Sequence, residues 1–384
     1  MTTRRNFIKI IGGGVLLAAG TVGGIVAFPP FLPDAAEAWR SPGAGETDIR
    51  RIALSYALLA PNPHNMQPWL VDLSTPGTAI LSLDTTRLLP ASDPFGRQII
   101  AGCGAFLELM MLAANANGAD VGIKLWPQGE PDTRLDGRPF AAVTFSKATP
   151  VKDPLFDQIL ARRTNRELYD LARVPAADDL RAIIASGTSG TDFRGDFANE
   201  SQSVEALRDI VWRGWTRDMH TQAALAESVN VMRIGDRAIA AHRDGLTLSG
   251  PLMNILGATG LLSHDALLDP DSASNAQGAA MWKKMADTAP AFVWIAGPDN
   301  SRITQIAAGR SYARMNLEAT AHGLAMHPWS MALQEYPEMA DLYAEQQAYL
   351  GATKDAPVQM LARIGYARAI PPAPRRGLDA LLKV

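Results

Sequence analysis

A repeat links the two halves of the chain. Residues 104–118 match residues 309–323 at six of fifteen positions when they are aligned at a constant offset of 205. The matching pairs are Gly104/Gly309, Met110/Met315, Leu112/Leu317, Ala114/Ala319, Ala116/Ala321 and Gly118/Gly323. Similar composition could produce part of this match, but the shared terminal glycine favours duplication. The chain is therefore expected to contain two related halves.

Composition places the chain among ordinary globular proteins and argues against several kinds of site. With 384 residues the chain can bury a large core, and its net charge of −3 without a long basic run gives no support for nucleic-acid binding. Cys103 is the single cysteine, which rules out an internal disulfide and a cysteine-cluster metal site. The six histidines are scattered, so no metal centre is predicted.

The N-terminus has the pattern of an export signal. The pair Arg4-Arg5 precedes an uncharged, glycine-diluted run over residues 10–28, which looks like a twin-arginine signal spanning residues 1–38. Small residues at Ala36 and Ala38 suit a signal peptidase, so the mature chain would begin at Trp39. The alternative is an uncleaved membrane anchor, because a run of this length nearly spans a bilayer. Such signals export folded proteins through the twin-arginine translocase, so a periplasmic protein carrying a preloaded cofactor is expected.

Hydrophobic periodicity predicts a mixed α+β order of elements. Helices are expected over residues 49–59, 97–117, 154–161, 176–186 and 303–322, and residues 201–285 are expected to be mostly helical. Strands are expected over residues 70–73, 79–83, 122–126, 141–146, 291–297 and 360–366. Three prolines within residues 60–69 exclude a helix there and leave backbone donors free for a ligand.

A cluster of cations follows the predicted helix at 154–161. Arg162, Arg163 and Arg166 lie within five residues, together with Thr164. Each guanidinium offers a planar fork of donors and Thr164 adds a hydroxyl, so the segment is suited to binding a phosphate group. The alternative is a solvated helix end, where cations complement the helix dipole.

Several segments resemble the FMN-dependent nitroreductases. Residues 60–69 (APNPHNMQPW) resemble the Ala-Pro-Ser-x-x-Asn-x-Gln-Pro-Trp stretch of that family, and residues 162–166 (RRTNR) resemble its Arg-x-Ser-x-Arg phosphate loop. Residues 309–328 are similar to the central dimer helix and the strand after it, and residues 374–376 to the basic C-terminal segment. The resemblance covers most of residues 45–384, and the Gln-Pro-Trp stretch is its most specific part.

The order of these motifs departs from the family. An ordinary nitroreductase subunit carries the arginine loop first and the Gln-Pro-Trp stretch soon after, whereas here each half keeps one of the two. In the family, two subunits share each flavin site, so this layout resembles the Acg family, a single-chain branch with an internal pseudo-dimer. The implied fold is α+β and nitroreductase-like, with half-repeats over residues 45–148 and 150–384 and one flavin site per chain. A monomer is expected.

The resemblance also implies roles for individual residues around FMN. The FMN phosphate would be held by Arg162, Thr164, Arg166, Arg375 and Arg376. The ribityl chain and the ring edge would be lined by Asn62, His64, Asn65 and Gln67. Ser330 and Met331 would lie near N5 of the ring, where the family often has Glu-Gly. Because the flavin carries the redox chemistry itself, no catalytic acid or base is predicted.

Two functions from different classes follow from this resemblance. The first is an exported oxidoreductase that passes two electrons through flavin N5 to a small aromatic or quinone-like acceptor. NAD(P)H is not expected outside the cytoplasmic membrane, so the electron donor would be a different molecule. The second is a protein that stores FMN without turnover, with the helical segment 201–285 closed over the ring. A flavin-free relic that serves only as a binding module is a third, weaker alternative.

Some conspicuous residues have simpler structural interpretations. Trp69 is expected to pack in a core rather than contact a flavin, and His327 is expected to be structural. Cys103 is expected to pack as a small apolar group against another helix. Arg310 and Arg314 lie one helical turn apart, so they are expected either to form salt bridges inside the pseudo-dimer or to contact the flavin.

Overall fold

The computed structural model describes residues 34–383. The first half contains helix α1 (Ile49–Ala57), strands β1 (Trp69–Asp72) and β2 (Thr78–Leu83), helix α2 (Arg97–Ala116), and strands β3 (Ala119–Leu125) and β4 (Ala141–Lys147). The predicted twin-arginine pair and apolar run lie outside the described residues.

The second half repeats this order with a long insertion. It contains α3 (Ala177–Thr188), β5 (Arg194–Ala198), α4 (Ser201–His220), α5 (Gln222–Asn230), β6 (Met232–Ile234), α6 (Asp236–His242), β7 (Leu246–Leu248), α7 (Pro251–Ala258), α8 (His264–Leu268), α9 (Ala273–Asp287), β8 (Ala291–Ala296), α10 (Arg302–Ala321), β9 (Ala325–Pro328), α11 (Ala340–Tyr349) and β10 (Val358–Gly365). Residues 199–290, between β5 and β8, are called the insertion below.

Each half builds a four-stranded antiparallel sheet, and the two sheets have the same topology. The order is β1-β2-β4-β3 in the first sheet and β5-β8-β10-β9 in the second. Strands β1 and β2 are joined by residues 73–77, whereas the whole insertion separates the equivalent strands β5 and β8. The expected α+β architecture of two half-repeats is therefore confirmed, and the additional residues of the second half lie mainly in the insertion.

Helices α2 and α10 pack against each other at the centre of the molecule. Asp93 starts α2, because its carboxylate accepts from the backbone N–H groups of Gln98 and Ile99. Ser301 caps α10 by accepting from Thr304 N, and Gly323, with a φ of 69°, follows its last turn, as the sequence predicts. Within the described residues α2 is the one helix long and apolar enough to cross a membrane, but most of it is buried in this core.

The end of the chain crosses back to the first half. The backbone of Val71 in β1 donates to Leu381 O and accepts from Lys383 N, each at 2.8 Å, so the tail extends the first sheet. In the second half, Asn165 N donates to Met326 O at 3.1 Å, which fixes the arginine segment along β9. The first half thus fixes the position of the C-terminal tail, and the second half fixes the position of the arginine segment.

One predicted helix is wrong in type and length. Residues 154–161 were expected to be α-helical, but the structure has a short 3-10 helix over Pro154–Gln158 followed by a turn. Asp153 caps it by accepting from Leu155 N. The backbone N–H of Arg162 still donates to Gln158 O at 2.8 Å, after which the chain straightens to run beside β9.

Candidate cofactor site

The proline-rich segment after α1, residues 60–69, forms a tightly determined loop. His64, Asn65 and Gln67 all have positive φ angles, between 49° and 54°, although none is glycine. Such conformations cost about 1–2 kcal/mol each and persist where surrounding contacts impose them, commonly at functional sites. One such contact is made by Asn62, whose Oδ1 accepts from Gln67 N at 2.8 Å.

Gln67 joins this loop to two distant parts of the chain. Its side chain is fully buried, and its Nε2 donates to Arg243 O of the insertion at 2.9 Å. Its Oε1 accepts from the backbone N–H of Arg376 at 2.8 Å. Asn65 is used in a similar way, since its Oδ1 accepts from Arg375 Nη1 at 2.7 Å. In this structure both amides hold the loop in place.

Arg162 lies beneath the loop with unused hydrogen-bonding capacity. Its side chain is 2% exposed, and Nη2 donates to Leu59 O at 3.1 Å. Nε and Nη1 are buried and donate to no atom of the described residues. Buried donors on a charged group are costly to leave unpaired, so an anion that binds Arg162 there would be strongly stabilised.

Arg375 approaches the same place from the C-terminal tail. It donates to the carbonyl oxygens of Leu58, Leu59 and Ala60 at 2.9–3.1 Å, and so shares Leu59 O with Arg162. Burial, reinforced by neighbouring guanidiniums, lowers the pKa of Arg375 to about 9. Burial lowers the pKa of Arg162 to about 10. These cations therefore converge on neutral acceptors, an environment that favours a bound anion.

Arg166 follows on the same segment as Arg162. It is exposed to solvent, yet neighbouring protein lowers its pKa by desolvation. It makes no side-chain hydrogen bond to any residue from 34 to 383. Its charge is close enough to lower the pKa of both His64 and His327, although burial is the larger cause in each case. Arg166 thus brings the arginine segment next to the proline-rich loop.

The insertion covers the proline-rich loop from outside. His64 Nε2 lies 3.0 Å from Ser228 Oγ of α5. The backbone N–H of Gly245 donates to Asn65 O at 3.2 Å. Burial lowers the pKa of His64 to about 4, so this imidazole is neutral at pH 7. The loop is therefore held between the arginine segment and the insertion. From the sequence, a cover over the flavin formed by residues 201–285 is one hypothesis. No sequence signal indicates Ser228 or Arg243.

Ser330 and Met331 lie where the second half meets the N-terminus of α2. Ser330 Oγ donates to Gln98 Oε1 at 3.1 Å, and the backbone N–H of Ser330 donates to no atom of the described residues. Met331 begins a 3-10 helix and packs half-buried in the apolar cluster that contains Trp329. Their predicted position beside N5 stays a prediction.

The other predicted cofactor ligands have varied surroundings. Thr164 forms an isolated bridge with Met326, and its hydroxyl makes no hydrogen bond to the described residues. The guanidinium of Arg376 donates to Ala380 O at 2.8 Å and more weakly to Gln67 O at 3.4 Å. Asn62 Nδ2 donates to Ala60 O at 3.1 Å. Thr164 thus has a free polar group, whereas Asn62 and Arg376 are engaged in holding loop and tail.

The internal repeat relates the proline-rich loop of the first half to a segment of the second half, and that segment is built differently. The loop of residues 58–68 between α1 and β1 corresponds to residues 189–193 between α3 and β5, which are too few for a similar loop. On that side buried Glu108 accepts from Arg310 Nε at 2.8 Å and from Arg314 Nη1 at 2.9 Å. The predicted salt bridges of these two arginines are confirmed.

The predictions that Trp69 and Cys103 pack in the core are also confirmed. Trp69 is fully buried, and its ring centroid lies 4.6 Å from that of Phe106. Cys103 is fully buried in α2, where desolvation raises the pKa of its thiol. Among residues 34–383, no three His, Cys, Asp or Glu side chains form a group that could hold a metal ion.

Comparison with known proteins gives relatives along nearly the whole chain. No family model matches. "Putative NAD(P)H nitroreductase acg" of Mycobacterium tuberculosis H37Rv is 27% identical over 362 residues, which cover 88% of this chain and 96% of that protein. "Putative NAD(P)H nitroreductase Rv3131" of the same strain is 24% identical over 357 residues, with 88% and 92% coverage. Among solved structures, the FMN-dependent nitroreductase NfnB from Mycobacterium smegmatis, in complex with NADPH, gives a TM-score of 0.38 at 19% identity over 59% of this chain and 96% of its own.

Proposed function

We propose that this chain, which is similar to Acg-like nitroreductases along 88% of its length, is an FMN-dependent oxidoreductase with one flavin site between its halves. The observation that carries the proposal is the buried Arg162, whose Nε and Nη1 donate to no described residue. A phosphate group supplies the negative charge and the several acceptor oxygens that such a guanidinium requires.

The surrounding residues fit the phosphate end of FMN. Arg166 and Thr164 have polar atoms that make no side-chain hydrogen bonds to residues 34–383, and both lie on the segment that runs beside β9. Arg375 already donates to carbonyl oxygens of residues 58–60, so its main contribution is to fix the loop and add positive charge. Arg376 would have to exchange its contacts with the tail in order to reach the phosphate.

The proline-rich loop would hold the rest of the cofactor. His64 is neutral at pH 7, so it adds no charge beside the ribityl chain and the ring, and Ser228 fixes the direction of its Nε2. FMN, when bound, supplies two-electron chemistry at N5, and the protein contributes position and electrostatics. The backbone N–H of Ser330, which donates to no described residue, is available to hydrogen-bond N5.

Export, the electron donor and the electron acceptor belong to the same proposal. We infer from the N-terminal pattern that the folded protein passes through the twin-arginine translocase with FMN bound. Two electrons would then pass to a small aromatic or quinone-like acceptor in the periplasm, from a donor other than NAD(P)H. The resemblance to nitroreductases and the N-terminal signal pattern support this part.

Storage of FMN without turnover is the second candidate function. The observation that favours it is the contact between the insertion and the loop, where Ser228, Arg243 and Gly245 each bond to a loop residue. A cover fixed in this way would restrict the access of a substrate to the ring, whereas turnover requires that a substrate reach it.

A spectrum of the protein purified after export in its native host tests both functions. Visible absorption of a bound flavin that is bleached by dithionite and restored by a quinone supports an oxidoreductase. Bleaching by NADPH would also support an oxidoreductase but would contradict the inference that the donor is a different molecule. Bound flavin that is bleached by dithionite but does not return electrons to quinones or nitroaromatic compounds supports storage. A colourless protein that takes up no FMN on titration contradicts both. N-terminal sequencing and cell fractionation of the same sample test the export signal.

A further inference from the structure

The chain at the boundary of the predicted export signal, residues 35–39, is built into the body of the protein. Residues Glu37–Trp39 form a 3-10 helix, and Ala35 O accepts from the backbone N–H of Arg375 at 2.9 Å. The indole Nε1 of Trp39 donates to Ala373 O at 2.8 Å, and the Trp39 side chain is only 6% exposed. This segment is therefore held against the C-terminal tail that carries Arg375.

The ring of Trp39 lies among three guanidiniums. The Cζ atom is 4.8 Å from the ring centroid for Arg163, 5.3 Å for Arg375 and 5.8 Å for Arg162. All three distances are within the range of a cation–π interaction, in which the negative face of the ring attracts the cation. The three arginines belong to the cluster described above, so Trp39 is their shared aromatic neighbour.

We propose that Trp39 is a positioning residue for the phosphate-binding arginines, which it holds together in the orientation that the phosphate of FMN requires. This inference rests on the proposed function and adds to it a residue outside every motif of the family resemblance. A guanidinium donates its hydrogen bonds in its own plane and presents its faces to aromatic rings. Contact with Trp39 therefore leaves the N–H groups of Arg162 available to an anion.

Trp39 is needed because the arginines repel one another before the phosphate binds. Arg162 and Arg163 both lower the pKa of Arg375, after the larger effect of burial, which shows that the like charges are close together. Neutral oxygens, among them the backbone carbonyls near Arg375 and Asn65 Oδ1, and the ring of Trp39 attract these guanidiniums. Trp39 is the group that contacts all three, so removal of its ring would let the arginines spread apart. The site would then lose its preorganised shape.

Comparison of FMN with riboflavin separates this role from general packing, because riboflavin lacks the phosphate. Dissociation constants for both flavins would be measured by fluorescence titration of the purified full chain. We expect W39L to weaken FMN binding by roughly tenfold, the size expected from the loss of cation–π contacts in a desolvated site, and to leave riboflavin binding within about twofold. W39F, which keeps a ring, is expected to retain most of the preference for FMN.

A matched control is available at Trp126, which is also 6% exposed and belongs to the same apolar core. W126L should lower the melting temperature and leave the FMN-to-riboflavin ratio unchanged. If W39L does not fold, W39M provides the same measurement, because the flexible Met side chain fills irregular space. Failure of both Trp39 variants to fold while W126L folds would overturn the inference and make Trp39 a core residue.

The outcomes separate this inference from the proposed function. A wild-type protein that binds neither flavin contradicts the proposed function, and the positioning role falls with it. A wild-type protein that prefers FMN, together with a W39L variant that keeps the whole of that preference, overturns the positioning role alone. Equal losses of FMN and riboflavin affinity in W39L also overturn it, since the effect would not pass through the phosphate.

Discussion

Gly104 and Gly309 occupy equivalent positions in the two halves, and each contacts the helix of the other half in the same way. A Cβ added to Gly104 would lie 1.9 Å from Ile306 O, and a Cβ added to Gly309 would lie 1.8 Å from Ala101 O. Ala101 and Ile306 differ in number by the same offset, 205, as Gly104 and Gly309. Helices α2 and α10 therefore cross about a pseudo-twofold axis, which confirms the duplication predicted from the sequence.

Substitution of either crossing glycine is expected to destabilise the protein severely. A Cβ at less than 2 Å from a carbonyl oxygen forces the two helices apart, so G104A and G309A should each lower the free energy of unfolding by at least about 3 kcal/mol. Urea unfolding followed by circular dichroism measures this effect. G278A is the matched control, since it also lies in a helix but nothing approaches its Cβ position within 4 Å. G278A should be neutral or stabilise by up to about 1 kcal/mol. Equal effects of all three changes would contradict the pseudo-twofold crossing.

Removal of the Arg162 guanidinium is expected to release FMN selectively. Charge-assisted hydrogen bonds contribute about 1.5–3 kcal/mol each, so R162A should weaken FMN binding by roughly tenfold to a hundredfold and riboflavin binding much less. R162K keeps the charge but not the planar fork and should recover only part of the affinity. Fluorescence titration with each flavin provides the measurement. R181A, which removes an exposed arginine paired with Asp178, is the control. Retention of FMN by the double variant R162A/R166A would show that the phosphate binds elsewhere.

Asp244 anchors the insertion to the first half and is expected to control flavin release. Its carboxylate is almost fully buried, and it lies 2.7 Å from Arg87 Nη1 and 2.9 Å from Arg233 Nη2. D244A leaves Arg233 without its carboxylate and Arg87 with Asp84 alone, at 3.3 Å, so it should destabilise the protein by about 3 kcal/mol. It should also speed FMN dissociation, because Arg243, the adjacent residue, holds Gln67.

Stopped-flow release of FMN into excess riboflavin-binding protein, at a temperature where the variant is folded, measures that dissociation. D271A is the control, since Asp271 is an exposed carboxylate in the turn before α9. If D244A releases FMN at the wild-type rate, the insertion does not retain the cofactor, and the storage function loses its main support.

The local sequence predicted the elements of the site better than their contacts. Prolines and free donors in residues 60–69, and three arginines in residues 162–166, are signals that neighbouring residues carry by themselves. Trp39, in contrast, carries no local signal beyond its place after the small residues Ala36 and Ala38, and its partners Arg163 and Arg375 are remote in sequence. The engagement of Gln67 by the insertion was hidden for the same reason. Periodicity reports which face of an element is buried, and it does not report which distant segment covers that face.

Acid is expected to destabilise the protein in part through His64. Burial and the nearby charge of Arg166 lower the pKa of this imidazole from 6.5 to about 4. Above pH 6.5 His64 is neutral in both the folded and the unfolded chain, so its contribution to stability is fully present there. As the pH falls from 6.5 towards 4, the unfolded chain takes up a proton that the folded chain rejects, and stability is lost progressively, by at most about 3 kcal/mol.

Urea unfolding of wild type and H64N at several pH values between 4 and 7 measures this contribution. Asparagine suits the control variant, because it adopts the left-handed conformation of residue 64, with its φ of 49°, more readily than most residues. His327 and the buried carboxylates titrate in both proteins, so the difference between the two curves isolates His64. We expect the stability of wild type relative to H64N to fall as the pH falls through this window. Wild type loses stability when His64 takes up a proton in the unfolded chain, and H64N lacks this titration. A constant difference between pH 7 and pH 4 would mean that His64 is protonated as readily in the folded chain as in the unfolded one, and its contact with Ser228 would then involve an imidazolium.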